Sequence, residues 1–355
     1  MTNRERLTAV LSGKEPDRIP FAPFDELIPR GGFERELRNR GMGLIANAGS
    51  LWSETPNISF ARRCADGERT TVYRTPVGDV SAVEKIHAGR VSNDGTVAKE
   101  FLIKSEKDYA PVIFMLDDTV FHRDDDAYFF RERALGDDGI VHTWAGEPPY
   151  MDAQYFLGLE NWSYQQEDHP EAFAALLAAL DRRQERRLGL LLDGPDQFVN
   201  LGNLAGNFGP EPFRQYLLPY FVKYARLFQE AGKKATIHAD ASNLSQFKEL
   251  LRETEIGVVE AFTPPPTGDL PLAEARLLWG EDRTIWINFP ESVFYSGYEG
   301  TVRYTVDLLR SDPSPNKILG FTEMGLMGAK ERDERIFREG FTAVLDGIET
   351  VFPGP

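Results

Sequence analysis

From residue 139 onward the chain alternates short β-prone runs with helix-length stretches, and this rhythm limits the fold more than any other feature. The runs "IVHTW", "QFVNLG", "KATIH", "GVVEAF", "TIWINF" and "KILGF" precede helices expected over 170–191, 211–231, 244–254, 271–279, 300–310 and 330–350. Strands that alternate with helices of this length imply βαβ units and a parallel sheet. With the proline-bounded run "PDRIPFAPF" there are seven strand candidates, one short of a (β/α)8 barrel. A doubly wound open sheet competes, but no strand leads into a G-x-G-x-x-G turn; the glycines of "GNLAGNFG" are wrongly spaced and followed by proline. The expected fold is α/β: a distorted (β/α)8 TIM barrel, one domain over residues 1–355 with an irregular N-terminal extension. In that extension "RERLTAVLSG" reads as a helix with Leu7, Val10 and Leu11 on one face and Gly13 past its end. Residues 67–87 read as a hairpin turning at Pro76–Asp79.

Charge narrows the partners. Forty basic against fifty-six acidic side chains give a net charge of −16, a field that repels phosphate backbones and anionic lipid. The opening "MTNRERLTAV" has no apolar signal core, and no run of about 18 apolar residues occurs, so a cytoplasmic protein without membrane contact is expected. The single cysteine, Cys64, excludes an intramolecular disulfide, and its setting "ARRCADGER" reads as structural.

In a barrel the active site is built where the strands end. Successive strand ends here carry Asn203, His238 with Asp240, Glu260, Asn288 and Glu323, each able to hold a metal, a proton or a hydroxyl. Each also has a structural reading. A strand-end histidine is often a satisfied fold residue, Asp240 could start the turn into the next helix, and the asparagines could serve only loop backbone. Glu260 and Glu323 favour function slightly more, since an acid ending an apolar strand is costly without a partner. His142, on a strand with Trp144, is a weaker pocket candidate, while His87, His122 and His169 read as solvated. The aromatics Phe21, Phe24, Trp144, Trp162, Trp286, Phe289 and Phe294 read mostly as core, with a subset able to line a flat apolar pocket. The chain has no G-x-S-x-G, GxxxxGK[ST], HExxH or paired CxxC motif.

Four segments resemble the uroporphyrinogen decarboxylase superfamily: "RERLTAVLSGKEPDRIPF", "YFLGLENWSYQQEDHPEAFAALL", "NFGPEPFRQYLLPYF" and "IHADASNL". The resemblance runs over nearly the whole chain and implies a distorted (β/α)8 barrel. It also implies one of two chemistries. The decarboxylases bind a polycarboxylated tetrapyrrole through an R-Q-A-G-R-Y element after the first strand. Here that place reads "APFDELIPRGGF", offering Asp25, Glu26 and only Arg30, so this chemistry fits poorly. The second chemistry is methyl transfer involving a corrinoid on a partner protein, with zinc held by H-x-C and a later cysteine. His238 matches the histidine, Asp240 stands at the first cysteine, and Glu323 or Met324 falls near the second. Both thiolates are missing, and an oxygen-rich set remains for zinc or a harder divalent ion.

The resulting expectation is a methyltransferase moving a methyl group between a small donor, such as an aromatic methyl ether or a methylamine, and a partner-borne corrinoid. His238, Asp240 and Glu323 are the expected metal ligands; Glu260, Asn203 and Asn288 are the expected catalytic and orienting residues. Expected partners are the methyl donor and a corrinoid protein, with a homodimer admitted and neither nucleic acid nor membrane. No D-x-H-x-x-G corrinoid-binding element occurs in the chain. The competing readings are a decarboxylase and a non-catalytic ligand-binding relative.

Overall fold

The computed structural model describes residues 1–86, 96–204, 206–322 and 331–353. They fall into two compact units: Met1–Ser50, Asp125–Ala145 and Gly194–Pro355 form the first, Leu51–Asp124 and Gly146–Asp193 the second.

The first unit is built on a curled, parallel seven-stranded sheet. Its strands, in spatial order, are Leu44–Asn47, Gly139–Trp144, Phe198–Asn203, Lys234–His238, Val258–Phe262, Thr284–Asn288 and Lys317–Gly320. Spatial order follows chain order, as expected of repeated right-handed βα crossovers. The helices Leu218–Glu230, Lys248–Glu253, Leu272–Trp279 and Gly297–Ser311 separate the later strands, and Glu331–Val351 follows the last. The strand that sequence patterning missed is Leu44–Asn47, whose "LIAN" is too short to show a period.

The run "IPFAPF" is not a regular strand, yet it bonds to both ends of this sheet. Ala22 and Phe24 donate backbone N–H groups to Leu319 and Phe321, and Leu319 donates to Pro20. On its other side Gly43 donates to Phe21, and Ile45 to Pro23. Prolines at 20 and 23 have no N–H to give, but their carbonyls still accept.

The helix Asn3–Leu11 closes the end where the strands begin. Thr2 and Glu5 start it with a reciprocal capping box, at 3.2 and 2.8 Å. Its buried Leu7, Val10 and Leu11 join a cluster with Ala22, Phe24, Ile45, Ile140, Val258, Trp286 and Ile318. Burying three such side chains is worth about 1.5–3 kcal/mol each. Asn3 Nδ2 to the Met42 carbonyl (3.0 Å), Arg4 Nε to the Gly139 carbonyl (3.2 Å) and Thr284 Oγ1 to the Val10 carbonyl (3.3 Å) fix the helix against the strand starts.

The second unit holds an antiparallel four-stranded sheet, Ser59–Ala65, Glu68–Thr75, Gly78–Ile86 and Thr96–Glu100, in chain order. The expected hairpin is its central pair. Helices Tyr109–Asp117, Pro149–Leu157, Leu159–Asp168 and Pro170–Asp193 belong to this unit, with Arg182 and Asp117 joining two of them at 2.8 Å. No helix among the described residues is long and apolar enough to cross a membrane.

Candidate active site

Parallel strands present their C-terminal ends on one side, and the first unit gathers its polar interior residues there. Glu260 lies at the centre and is completely buried. Its Oε1 accepts from His238 Nδ1 at 2.9 Å. Its Oε2 accepts from His142 Nε2 at 2.9 Å, Thr236 Oγ1 at 2.9 Å and Asn200 Nδ2 at 3.1 Å. Asn200 can only donate there, because its Oδ1 already accepts the Gly202 N–H at 2.7 Å. The cost of placing an acid in the core is thus met by four donors from three neighbouring strands.

Two local irregularities aim these side chains. Between Asn200–Asn203 and Thr236–His238 three steps face two, and Gly202 takes φ 132°. Between Val259–Phe262 and Ile285–Ile287 the same mismatch occurs, and Ala261 is held at φ 57°. Such bulges turn side chains out of register and cluster near active sites. An alanine in left-handed backbone costs about 1–2 kcal/mol, which the strand's other bonds offset.

Burial alone would push the Glu260 carboxyl up; the charge on His142 and the hydrogen bonds from His142 and His238 overcome this and hold it well below the usual carboxylate range. An ionised carboxylate only accepts, so each imidazole nitrogen facing it must carry hydrogen. In its neutral form His238 therefore has hydrogen on Nδ1 and a lone pair on Nε2, and His142 has hydrogen on Nε2 and a lone pair on Nδ1. His142 Nδ1 is buried without a hydrogen-bond partner among the described residues, as is the neighbouring Trp286 Nε1. His142, Phe24 and Trp286 pack as a ring trio with centroids 5.6–5.9 Å apart. Trp144, two residues beyond His142, meets His238 edge-on, with centroids 6.3 Å apart and ring planes at 78°.

The expected site residues divide as follows. His238 is level with Asn203 on one neighbouring strand and Glu260 on the other. Asp240, half-buried, lies two residues beyond His238, where the strand has ended. Asn288, on the strand after Glu260's, is engaged at both ends of its amide: Nδ2 donates to Thr263 Oγ1 (3.1 Å) and Oδ1 accepts from the Thr322 N–H (3.0 Å). Glu323 and His87 lie outside the described residues. Among the described residues no three His, Cys, Asp or Glu side chains are assembled as a metal-ligand set. His142, a minor candidate in the sequence, proves central. Asn200 and Thr236 were missed; the available signal was a polar residue inside each of two otherwise apolar strands. Two surface clefts, one around Lys233, Trp279 and Arg283 and one around Arg4, Tyr128 and Glu132, lie toward the strand starts, away from this cluster.

No protein-family model matches the chain, and no curated protein matches its sequence. Among solved structures, it is similar to a methyltransferase from Methanosarcina mazei, with a TM-score of 0.55 and 11% identity over 99% of both chains. At that identity the likeness shows a shared fold. A fructuronate-tagaturonate epimerase from Cohnella laeviribosi aligns over 77% of this chain and 72% of its own, at 11% identity and a TM-score of 0.25, too low to carry an argument.

Proposed function

We propose that the protein transfers a methyl group from a small donor, bound at His238, to a corrinoid carried by a partner protein, on an eight-stranded barrel of the uroporphyrinogen decarboxylase type. In this reading the "IPFAPF" segment serves as the eighth strand. The observation that carries the reading is Glu260 beneath His238: a buried, ionised carboxylate that accepts from Nδ1, fixes the imidazole and leaves Nε2 on the side away from the carboxylate. The shared fold and the motif resemblance support it.

A carboxylate behind a histidine is the usual outer partner of a metal-bound imidazole, so His238 fits that role. A divalent ion, zinc being the expected one, would be held by His238 with Asp240 and Glu323, and when bound would supply Lewis acidity to the heteroatom carrying the methyl group. Glu260 positions His238 and keeps its tautomer fixed. Asn203, level with His238, orients the donor, while Asn288 ties the loop ends at Thr263 and Thr322. The carbon–heteroatom bond breaks with its electron pair left on the heteroatom, and the methyl group passes to the acceptor.

The test is conversion of chemically reduced cobalamin to its methylated form, followed by absorbance, with O-methyl and N-methyl donors. Turnover should depend on His238, and His238→Ala should stay folded while losing both turnover and bound zinc. Absence of methylation with every donor, or full activity in His238→Ala, would overturn the reading.

A further inference from the structure

We propose that the cleft at the strand starts of the first unit, walled by Arg283 and Lys234, is a binding site for a small phosphate monoester. It is separate from the cluster around Glu260 and does not rest on the methyl-transfer reading. The cleft has a volume of about 330 Å³ and is framed by residues at the starts of three neighbouring strands, Lys234, Gly257 and Arg283. That volume is enough for a small ligand. The carrying observation is Arg283, which is 9% exposed and has no carboxylate within ion-pair distance among the described residues. Its Nη1 and Nη2 donate to the carbonyls of Leu251 and Arg252 at 2.5 and 3.2 Å, bracing the end of the helix Lys248–Glu253, and its Nε is left over. Buried arginines are rare unless paired, and an uncompensated buried charge is costly. Burial accordingly pushes the Arg283 pKa down to about 10. Two carbonyl dipoles do not cancel a full charge, whereas an anion in the cleft would.

The other charges of the cleft agree. Lys234 is exposed, and its Nζ has no protein partner among the described residues. Lys233 lines the same cleft with its Nζ on the Gly194 carbonyl at 2.6 Å. Of the two acids in the lining, Glu255 is already held by Arg226 Nε at 2.7 Å, so only Asp282 opposes an anion. Positive charge is thus locally in excess, against the −16 of the whole chain. Such a concentration is what an anion needs to overcome the global field. Cations from two strands suit the double charge and three oxygens of a phosphate better than the single charge of a carboxylate. The neighbouring cleft shares Lys234, but its other charges, Arg4 and Glu132, pair with each other at 3.5 Å.

The experiment is titration calorimetry, backed by ligand-dependent thermal melting, on the full chain at about pH 8, where a phosphate monoester carries nearly two charges. The probes are glycerol 3-phosphate and glycerate, with chloride at matched ionic strength as control. Wild type should bind glycerol 3-phosphate with a millimolar or lower Kd, at least about tenfold more tightly than glycerate, and added salt should weaken that binding. Lys234→Met should weaken it about tenfold, the loss of one charged hydrogen bond. Asp282→Asn should tighten it a few-fold, a direction that a purely structural role of Asp282 would not give. Asp282 lines this cleft and not its neighbour, so the same result locates the site. Both positions are exposed, and circular dichroism of both variants should match wild type. Arg283→Met would also remove the helix brace, so the two exposed positions decide the matter. No binding of glycerol 3-phosphate by either method, equal binding of glycerate, or unchanged affinity in either variant would overturn the proposal. The assay needs neither methyl donor nor acceptor, so its outcome leaves the methyl-transfer reading to its own test.

Discussion

Replacing Glu260 by glutamine changes one atom, and the structure says what should follow. The carboxylate accepts four hydrogen bonds, three of them on Oε2. Glutamine can offer only one acceptor oxygen, and the three donors at the Oε2 position decide that the oxygen goes there. Its NH2 group then faces His238 Nδ1, and two donors cannot share that contact. His238 must move its hydrogen to Nε2, and the lone pair on that nitrogen is lost. Energetically, the charge-assisted bonds fall from about 2 to about 1 kcal/mol each, a gross loss of about 4 kcal/mol. Relief from burying a charge returns part of it, leaving a net loss of about 2–3 kcal/mol. Urea unfolding at pH 7 measures the stability, and long-range proton–nitrogen correlation spectra of the imidazoles report the tautomer. Because the folded Glu260 pKa is depressed, its contribution is present in full above the unfolded value of 4.5 and fades as pH falls through the folded value. The stability gap between wild type and Glu260→Gln should therefore shrink progressively below about pH 4.5. An unchanged unfolding midpoint at pH 7, or a variant whose His238 keeps hydrogen on Nδ1, would refute this account.

Three further outcomes are expected. Asp196 is buried and accepts from Ser50 Oγ at 2.7 Å and Thr143 Oγ1 at 2.5 Å; Asp196→Ala should cost about 2–4 kcal/mol in denaturant unfolding, and Asp196→Asn less. Ala261→Gly removes a left-handed penalty of about 1–2 kcal/mol against about 0.5–1 kcal/mol of added chain entropy, so its melting temperature should be unchanged or slightly higher, never lower by several degrees. Lys317 is buried with its ammonium on the Asp312 and Ser314 carbonyls, and burial pushes its pKa down to about 8 from 10.5. The folded state thus holds the proton less well than the unfolded chain, so wild type should gain stability relative to Lys317→Met as pH rises from about 8 to 10.5, as read by pH-dependent unfolding.

The strand–helix rhythm was legible because each strand from 139 onward is followed by a helix long enough to show its period. Leu44–Asn47 was not, having only four residues. The "IPFAPF" run could be picked as extended, but on one side it pairs through the N–H groups of Ala22 and Phe24 and on the other through carbonyls alone, and no residue pattern reveals which partners it meets. At the site, the acid at position 260 signalled its need for a partner through the surrounding valines. Which donors would meet it depended on register and on two bulges. A one-residue shift would turn His142, Asn200 and Thr236 away, so their convergence is a property of pairing rather than of any local segment.

The helix over Asn3–Leu11 and the run after it also set the order in which the chain can be completed. Val10 is bonded to Thr284, 274 positions later, and Ala22 and Phe24 to residues 319 and 321. During synthesis these first residues leave the ribosome long before their partners exist, by roughly 15–60 s at about 5–20 residues per second. For that interval Leu7, Val10 and Leu11 have no core to enter, and the seam beside Leu44–Asn47 stays open. A segment made long before its partners is thus among the last to be packed. Until then its apolar face must be shielded by a chaperone or by transient contacts with the nascent chain itself.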